Sequence, residues 1–369
     1  MAQGYDLAIV GAGILGLAHA LAALRRGLRV VVLDRDAQAN GASIRNFGFV
    51  VVTGQAPGAD LTRAARTRDV WEQVAPLAGI AVQHRGTLLA ARRPEAMALL
   101  EAFAAKSDAC RLLTPAQLAT LQPEIDSAAM QGALHSPGEL RVDSVQAIPR
   151  LTAWLAGQGV EFRFSTAVTA IDPPHLHTSA GPVHAARIVV CPGDDLTGLY
   201  ADRIAAHRVT RCKLQMLRLA DPGFRLAAGV MTDLSLLRYG GFAALPQAQA
   251  LRDRLTAEQP EHLANGVHMI AVQSADGSLV VGDSHHYGPT PDPFGSEAVD
   301  ALILSEFAAV FGPRPVTVTQ RWTGTYSSSP VSAFRDAPQP EVRLVMVTSG
   351  TGASTGFALG EETIAELFG

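Results

Sequence analysis

The residues with the clearest chemical purpose are a glycine-rich run near the amino end, Gly11-Ala12-Gly13-Ile14-Leu15-Gly16, and the acidic Asp34 that follows it. The first two glycines permit a tight turn and a close approach of the backbone to a pyrophosphate, and the third lets a helix pack on a strand. A carboxylate at the position of Asp34 would accept hydrogen bonds from ribose hydroxyls and would repel a 2′-phosphate. The pattern therefore predicts a dinucleotide site and disfavours a ligand of NADP type.

A strand, a helix and a second strand must position these groups. Tyr5–Val10 and residues 28–33 are apolar runs of strand-forming residues, and Leu17, Leu21 and Leu24 recur between them at helical spacing. This is a complete βαβ unit of about thirty residues, which makes the glycine pattern specific. The amino terminus of the helix would present its unpaired N–H groups and positive dipole end to the phosphates.

Length and charge exclude several classes of protein. The 369 residues suffice for two structural units that share one core. With 48% hydrophobic and 17% charged residues the chain is typical of a soluble globular protein, and no uncharged apolar stretch reaches the ~18 residues of a spanning helix. A formal net charge of −4 offers no general attraction for nucleic acid or anionic lipid. We expect neither partner, and the oligomeric state stays open.

Cysteines and histidines give no sign of a metal site. Cys110, Cys191 and Cys212 are too few and too scattered for a disulfide framework or a zinc site, which fits a reducing cytoplasm. His285 and His286 are adjacent, and neighbouring side chains on a strand point to opposite faces. We therefore expect no bound metal and a cytoplasmic location. The apolar amino terminus has no basic leading segment and predicts mature structure rather than a signal peptide.

The α/β pattern returns at the carboxyl end, where residues 343–347 predict a strand, residues 349–356 a loop of small residues and residues 357–368 an amphipathic helix. The dinucleotide-binding unit is therefore expected to be discontinuous. Its predicted parts are residues 1–80, 143–212 and 320–369, and the second unit consists of residues 81–142 and 213–319.

Three segments together resemble the flavoprotein amine oxidase family that includes D-amino-acid oxidase, glycine oxidase and monomeric sarcosine oxidase. They are residues 11–34, residues 188–193 and the loop at 349–356 with its helix. The resemblance spans nearly the whole chain. It implies an α/β fold in which a Rossmann-type FAD-binding domain is interleaved with an α+β substrate domain, as in glycine oxidase and sarcosine oxidase. It also implies FAD, because a nicotinamide enzyme needs neither the middle segment nor the carboxyl-terminal loop.

The same resemblance implies which residues contact the cofactor. The middle strand would approach FAD at Gly193, and the backbone of Val168 would contact adenine. The small residues of the 349–356 loop would present N–H groups, and the following helix its positive end, to negative charge on the reduced flavin ring. The predicted cofactor residues are Gly11, Gly13, Ile14, Leu15, Asp34, Arg35, Ser43, Arg45, Asn46, Val168, Gly193, Gly350, Thr351, Gly352, Ala353, Ser354 and Thr355.

The segment Ser43-Ile44-Arg45-Asn46-Phe47-Gly48 resembles a subgroup of this family that is associated with aminophosphonate breakdown. Ser43 could bond a phosphate, and Arg45 and Asn46 could orient the flavin ring or an anionic substrate. Arg45 could equally be a salt-bridged residue of the loop.

One departure from the family discriminates between substrates. Its amino-acid oxidases carry a segment like W-x-G-x-R-P-x-T-P, whose arginine clamps the substrate carboxylate, and residues 322–330 have Tyr326 in that place. A phenol cannot form a planar fork, so α-amino acids held in the usual way are disfavoured. Sarcosine oxidases have a flavin-linked cysteine where this chain has Gly324, which implies noncovalent FAD.

Lys213 is one of two lysines, beside Lys106, and lies on the strand expected to enter the active site. It could hold a phosphonate as a point charge, promote the reaction of the flavin with oxygen, or be a surface lysine packed along a strand. His286, with His285 and Tyr287, could line the same pocket or form a polar loop.

The sequence thus predicts FAD-dependent oxidative deamination of a small amine with an anionic tail, with 2-aminoethylphosphonate or an N-methyl or hydroxy relative favoured. Hydride transfer to flavin N5 would give an imine that hydrolyses to an aldehyde, with O2 as the expected acceptor and a dehydrogenase left open. The predicted catalytic residues are Lys213, Tyr326 and Asn46, and the predicted substrate contacts are Arg45, Lys213, His286, Tyr326 and Ser328. The alternatives are a glycine- or sarcosine-type oxidase with an atypical carboxylate anchor, and a flavin-binding sensor or partner protein without turnover.

Overall fold

The structure is a computed structural model that describes residues 4–107 and 109–369. In chain order the strands are β1 (Tyr5–Val10), β2 (Val30–Leu33), β3 (Phe49–Val50), β4 (Val82–Ala91), β5 (Arg111–Leu113), β6 (Gly132–Val142), β7 (Glu161–Arg163), β8 (Val168–Asp172), β9 (His175–Thr178), β10 (Val183–Val190), β11 (Thr210–Leu219), β12 (Gly229–Met231), β13 (Ile270–Gln273), β14 (Leu279–Gly282), β15 (His286–Gly288), β16 (Val318–Gln339) and β17 (Val342–Ser349). The α-helices are α1 (Ile14–Leu24), α2 (Ala59–Leu77), α3 (Pro94–Ala104), α4 (Pro115–Leu121), α5 (Ser144–Gly157), α6 (Ala201–Ala206), α7 (Asp233–Leu236), α8 (Gly240–Ala243), α9 (Ala248–Glu258), α10 (Pro260–Ala264), α11 (Glu297–Phe311) and α12 (Gly352–Phe368).

A parallel sheet carries the predicted dinucleotide site. Its strands lie in the order β7-β2-β1-β10-β17, and all run the same way. Val30–Leu33 is buried along its whole length, as is the centre of β1. Continuous burial of this kind is expected where a parallel sheet is covered on both faces. Helices α1, α5 and α12 help to cover one face, and a small antiparallel sheet of β8, β9 and the start of β10 adjoins the other.

A second, mixed sheet adjoins the first. Its central order is β16-β11-β14-β13-β12-β4-β6, and β15 pairs with β11 beyond the end of β14. The first half of β16 pairs with β11, whereas its second half pairs with β17 of the parallel sheet. One long strand therefore belongs to both sheets.

Helix α12 begins earlier than the sequence predicts. The loop expected at residues 349–356 is helical from Gly352 onward. The reason is close packing against α1: a Cβ placed at Gly352 would lie 3.3 Å from Ile14, and one at Gly360 would lie 2.8 Å from the backbone of Ala18. The small residues thus let two helices run side by side with their amino termini at the same edge of the sheet.

Helix α2 holds α12 from its other side. The indole of Trp71 donates a hydrogen bond of 2.9 Å to the carbonyl of Ala353, and its ring packs edge-on against Phe357 with the ring centres 5.0 Å apart. Arg63 forms a two-pronged bond to Glu362 with both distances at 2.9 Å. Within the described residues, no helix combines the length and the apolar composition needed to cross a bilayer.

The contact between α1 and α12 generates a stability prediction. We expect Gly360→Ala to lower the free energy of unfolding by about 1–3 kcal/mol, because the new methyl group meets main-chain atoms that cannot rotate away. Urea unfolding followed by circular dichroism measures this. Gly157→Ala, in α5, is the matched control, since a Cβ there meets nothing within 4 Å. It should be neutral or stabilising by about 0.4–1 kcal/mol, and equal stability of the two variants would contradict the packing argument.

Candidate active site

The glycine loop between β1 and α1 leaves no room for side chains. Gly11 has φ +103°, and a Cβ there would lie 2.4 Å from the carbonyl oxygen of Cys191. A Cβ at Gly16 would lie 1.8 Å from the carbonyl oxygen of Gly11. Helix α1 therefore starts directly at the strand edge with Gly13, which has no side chain to cap it, at its amino terminus. This is the cradle that a pyrophosphate needs.

Asp34 ties the second strand to this loop. One carboxylate oxygen accepts a 2.7 Å hydrogen bond from the N–H of Ala12, and the other accepts one of 2.9 Å from the N–H of Asp36. The carboxylate is thus fixed at the strand end and keeps lone pairs for ribose hydroxyls. The N–H of Thr166 donates to the carbonyl of Asp34 at 2.8 Å, which brings the start of β8, with Val168, beside it. The predicted cofactor residue Arg35 is ion-paired to Asp195 at 2.7 Å.

The loop after β2 lies against the helix terminus. The hydroxyl of Ser43 accepts a 2.9 Å hydrogen bond from the N–H of Ile14, and its proton remains for a phosphate oxygen. The side chain of Asn46 forms its hydrogen bonds within the loop itself. Its Nδ2 donates to the carbonyl of Ala42 and its Oδ1 accepts from the N–H of Gly48, both at 2.6 Å. Asn46 therefore shapes the loop.

Within residues 4–107 and 109–369, Arg45 does not form the salt bridge that the sequence left open. Its guanidinium donates to Oδ1 of Asn40 at 3.0 Å and to the carbonyl of Thr323 at 3.4 Å. These are neutral acceptors, so its charge stays available to an anion.

At the carboxyl end, the turn before α12 packs under Tyr326. Gly350 has φ +73°, and a Cβ there would lie 3.2 Å from the Tyr326 ring. The hydroxyl of Ser354 accepts a 2.9 Å bond from the N–H of Val51, and that of Thr355 donates to the carbonyl of Thr351 at 3.0 Å. Thr355 is thus turned into the helix, whereas residues 350–354 face a cavity.

That cavity has a volume of about 630 Å³ and lies between the two sheets. Two helix amino termini, two glycine turns and a polar wall meet there, so the residues present fit an FAD whose ring system is buried. Among the predicted site residues it is lined by Gly13, Ile14, Leu15, Ser43, Arg45, Asn46, Gly193, Tyr326, Ser328, Gly350, Thr351, Gly352, Ala353 and Ser354. The remaining ones lie outside its wall: Gly11, Asp34, Arg35, Val168, Thr355, Lys213 and His286.

The structure places two of the predicted substrate contacts, Lys213 and His286, outside the wall of this cavity. Leu214 lines the cavity, so Lys213, one residue earlier on β11, points to the opposite face. The Lys213 ammonium donates to the carbonyl of Phe294 at 2.7 Å and lies 3.8 Å from Asp292. His286 is the register partner of Lys213 and its ring lies 3.1 Å from Oδ1 of Asn265. Both therefore lie on the opposite face of the sheet, where Lys213 is buried.

The cavity also has a group of ionisable and aromatic residues, of which the sequence analysis named Tyr326, His285 and Tyr287 and missed the others. We call it the polar cluster; it consists of Arg238, Tyr239, His268, Asp283, His285, Tyr287 and Tyr326. Arg238 and Tyr239 lie between α7 and α8, His268 precedes β13, and Asp283 follows β14. A usable signal existed for Asp283 and His285, since they end an apolar strand. Arg238 and His268 have no comparable motif.

A row of His268, Asp283 and His285 forms the centre of the polar cluster. Nε2 of His268 lies 3.0 Å from Oδ1 of Asp283, a hydrogen-bond distance, and Nε2 of His285 lies 3.8 Å from Oδ2. Burial lowers the pKa of His285 to about 3 and also lowers that of His268, so both rings are neutral at pH 7. Burial alone would raise the pKa of Asp283, but the interactions around it, including the hydrogen bond from His268 and the charge of Arg238, hold this pKa below the ordinary value.

A guanidinium and three tyrosine phenols surround the row of His268, Asp283 and His285. The guanidinium of Arg238 is exposed to the cavity and donates a 3.2 Å hydrogen bond to the hydroxyl of Tyr287. The ring of Tyr326 meets that of His285 edge-on, with the centres 6.4 Å apart. Burial raises the pKa of both Tyr326 and Tyr239, so these phenols stay protonated. The site thus offers an ionised carboxylate, a permanent cation and neutral donors within one wall.

Solved structures with the same fold come from several kinds of enzyme. Glycine oxidase from Bacillus cereus ATCC 14579 superposes with a TM-score of 0.78 over 98% of this chain and 94% of that chain, at 16% identity. L-proline dehydrogenase from P. horikoshii has a TM-score of 0.78 over 100% and 94%, at 17% identity. L-α-glycerophosphate oxidase from Mycoplasma pneumoniae, solved with FAD bound, has a TM-score of 0.74 over 99% and 95%, at 16% identity.

No curated protein sequence matches this chain significantly. The family model described as "DAO: FAD dependent oxidoreductase" matches residues 6–366. That span contains the glycine loop, Asp34, the turn before α12 and the whole polar cluster. Because the family model covers nearly the entire chain, the protein belongs to the DAO family of FAD-dependent oxidoreductases.

Proposed function

We propose that this enzyme oxidises a small amine with an anionic tail, with 2-aminoethylphosphonate or an N-methyl or hydroxy relative as the favoured substrate. The observation that carries the proposal is the pair of opposite charges in the polar cluster. Asp283 is a buried carboxylate, Arg238 is a guanidinium that makes no hydrogen bond to a carboxylate of the described residues, and both line the same cavity. A substrate that is itself cationic at one end and anionic at the other complements this arrangement.

The cation-binding side is made of Asp283 and aromatic faces. The rings of His268 and His285 are stacked with centres 5.2 Å apart, and Tyr239 and Tyr326 meet them edge-on. A carboxylate among aromatic rings is the environment in which a primary or N-methylated ammonium binds well. An alcohol substrate would leave the buried charge of Asp283 without a partner, which is costly.

The anion-binding side is Arg238, with the hydroxyl of Tyr287 beside it. Arg238 thus takes the role that the sequence suggested for Lys213. A guanidinium fork with a neighbouring phenol can bond several oxygens of a tetrahedral phosphonate at once. The resemblance of residues 43–48 to the aminophosphonate subgroup supports the same tail. Arg45 adds a second positive charge to the cavity wall.

The chain's own residues bind, orient and exclude water. FAD, held at the glycine loop and the two helix termini, supplies the acceptor for a hydride from the carbon that bears the nitrogen. Arg238 fixes the tail of the substrate and Asp283 its nitrogen, so the carbon between them has one position. Leu214, Ile270 and Phe49 provide apolar wall that keeps water from the reacting carbon. The amino terminus of α12 offers N–H groups to negative charge that develops on the ring.

A second candidate is oxidation of glycine or sarcosine. A guanidinium also forms a two-pronged bond with a carboxylate, so Arg238 can serve as the atypical carboxylate anchor that this alternative requires. A flavin-binding protein without turnover is the third candidate, and it predicts FAD that no amine reduces.

Anaerobic reduction of the flavin separates the three candidates. We expect 2-aminoethylphosphonate or its N-methyl relative to bleach the yellow absorption band of the purified holoenzyme faster than sarcosine or glycine at equal concentration, because Arg238 and Tyr287 match a tetrahedral tail. Stopped-flow absorbance measures the rates. Faster bleaching by glycine or sarcosine would favour the second candidate, and no bleaching by any of them would favour the third.

The role of Arg238 in binding the anionic tail is tested by variants that each remove one positive charge. Arg238→Met should raise the KM for the anionic amine by about 10- to 100-fold, the worth of a lost charge-assisted hydrogen bond. Lys213→Met removes the same charge on the opposite face of β11 and should leave KM nearly unchanged. Steady-state turnover measures both, with FAD content as a check on folding. A large effect of Lys213→Met and none of Arg238→Met would restore the lysine as the anchor.

A further inference from the structure

We propose that Nε2 of His285 accepts the proton that the substrate ammonium must lose before its carbon can be oxidised. This inference rests on the proposed function and deepens it, because it names the group that converts the bound ammonium into the reactive free amine. It makes His285 a catalytic residue and Asp283 and Gly266 its positioning partners.

Hydrogen bonding at the far side of the ring fixes the state of His285. Nδ1 lies 2.9 Å from the carbonyl oxygen of Gly266, which can only accept, so Nδ1 carries the ring proton. A Cβ on Gly266 would lie 2.8 Å from atoms of His285, so this contact is tightly packed. In the neutral ring Nε2 is therefore the nitrogen with the free lone pair.

This lone pair faces another acceptor across the cavity wall. Nε2 of His285 lies 3.8 Å from Oδ2 of Asp283, and neither atom has a proton to offer the other. The other carboxylate oxygen of Asp283, Oδ1, lies 3.0 Å from Nε2 of His268, and Nδ1 of His268 lies 3.0 Å from the hydroxyl of Ser235. Two converging acceptors call for a donor with at least two N–H groups. A substrate ammonium is such a donor.

The charges that face His285 favour proton transfer only after the substrate is bound. The ring is packed against Asp283, His268, Arg238 and the protonated phenol of Tyr326, and burial lowers its pKa to about 3. Arg238 lowers that pKa further, whereas Asp283 raises it. An anionic substrate tail bound to Arg238 would neutralise the positive charge of Arg238 and leave the negative charge of Asp283. The ring thus becomes more basic when the substrate is in place.

The proton balance of the step is simple. One N–H bond of the ammonium breaks, its proton bonds to Nε2, and the electron pair stays on the nitrogen. That pair would then assist departure of a hydride, with its two electrons, from the neighbouring carbon, for which a bound FAD would supply the acceptor. The product leaves as an iminium ion, and the imidazolium opposite Asp283 returns its proton to water once the site reopens.

His285→Asn tests the step, with His286→Asn as the matched control on the opposite face. In the wild-type holoenzyme the anaerobic reduction rate should change little between pH 7 and pH 9. In His285→Asn it should fall about 100-fold at pH 7 and recover as the pH approaches the pKa of the substrate ammonium. His286→Asn should follow the wild type. Binding of methylphosphonate, which has no amine, should be the same in all three, as measured by its perturbation of the flavin spectrum.

The tautomer offers a readout that needs no turnover. In spectra of protein labelled with 15N-histidine, with the His285 signals assigned by their loss in His285→Asn, we expect a neutral ring protonated at Nδ1. A ring protonated at Nε2 would overturn the proposal, as would an unchanged pH profile in His285→Asn. Loss of activity on dialysis against a chelator, with recovery on adding Zn2+, would overturn it too, since the row would then hold a metal. Failure of every amine to reduce the wild type would reject the proposed function itself.

Discussion

Close contact between backbones is the constraint on which the rest of the molecule depends. Helix α1 can begin at the edge of the parallel sheet because Gly16 lies against Gly11, and α12 can lie beside α1 because Gly360 lies against Ala18. These contacts bring two helix amino termini to one edge, where their dipole ends add. The dinucleotide site follows from this packing, since it supplies N–H groups and positive potential with hardly a charged side chain.

The proposed substrate side of the cavity is organised in a different way, by the charges of side chains rather than by the backbone. Here ionised and neutral side chains lie close together at low solvent exposure. Burial lowers the pKa values of His268 and His285, whereas the pKa of Asp283 is held below its ordinary value although burial alone would raise it. Side chains in such a row cannot be exchanged singly without leaving a buried charge unpaired. Helix dipoles thus serve the cofactor at one side of the cavity, and side-chain charges would serve the substrate at the other.

The sequence allowed the cofactor class and the family to be predicted, because the glycine loop, Asp34 and their βαβ context are contiguous and each residue type has a steric reason. It failed at Lys213 and His286 because a strand alternates its faces, and one residue of register decides which side chain enters a cavity. The sequence pattern did not indicate Arg238, because this residue lies in a short irregular connection. His268 and Asp283 are brought together by the pairing of β13 with β14, and their chemistry appears only at that contact. The start of α12 was misplaced because glycine there serves helix packing rather than a loop.

Strand β16 has a further consequence for how the enzyme admits its substrate. It leaves the second sheet and enters the parallel sheet without a break, and Tyr326 lies on it, between Arg45 and the turn before α12. One strand thus connects the flavin cradle to the polar cluster. Under the proposed function, the span between the nitrogen and the anionic tail would then be the property by which the cavity selects its substrate.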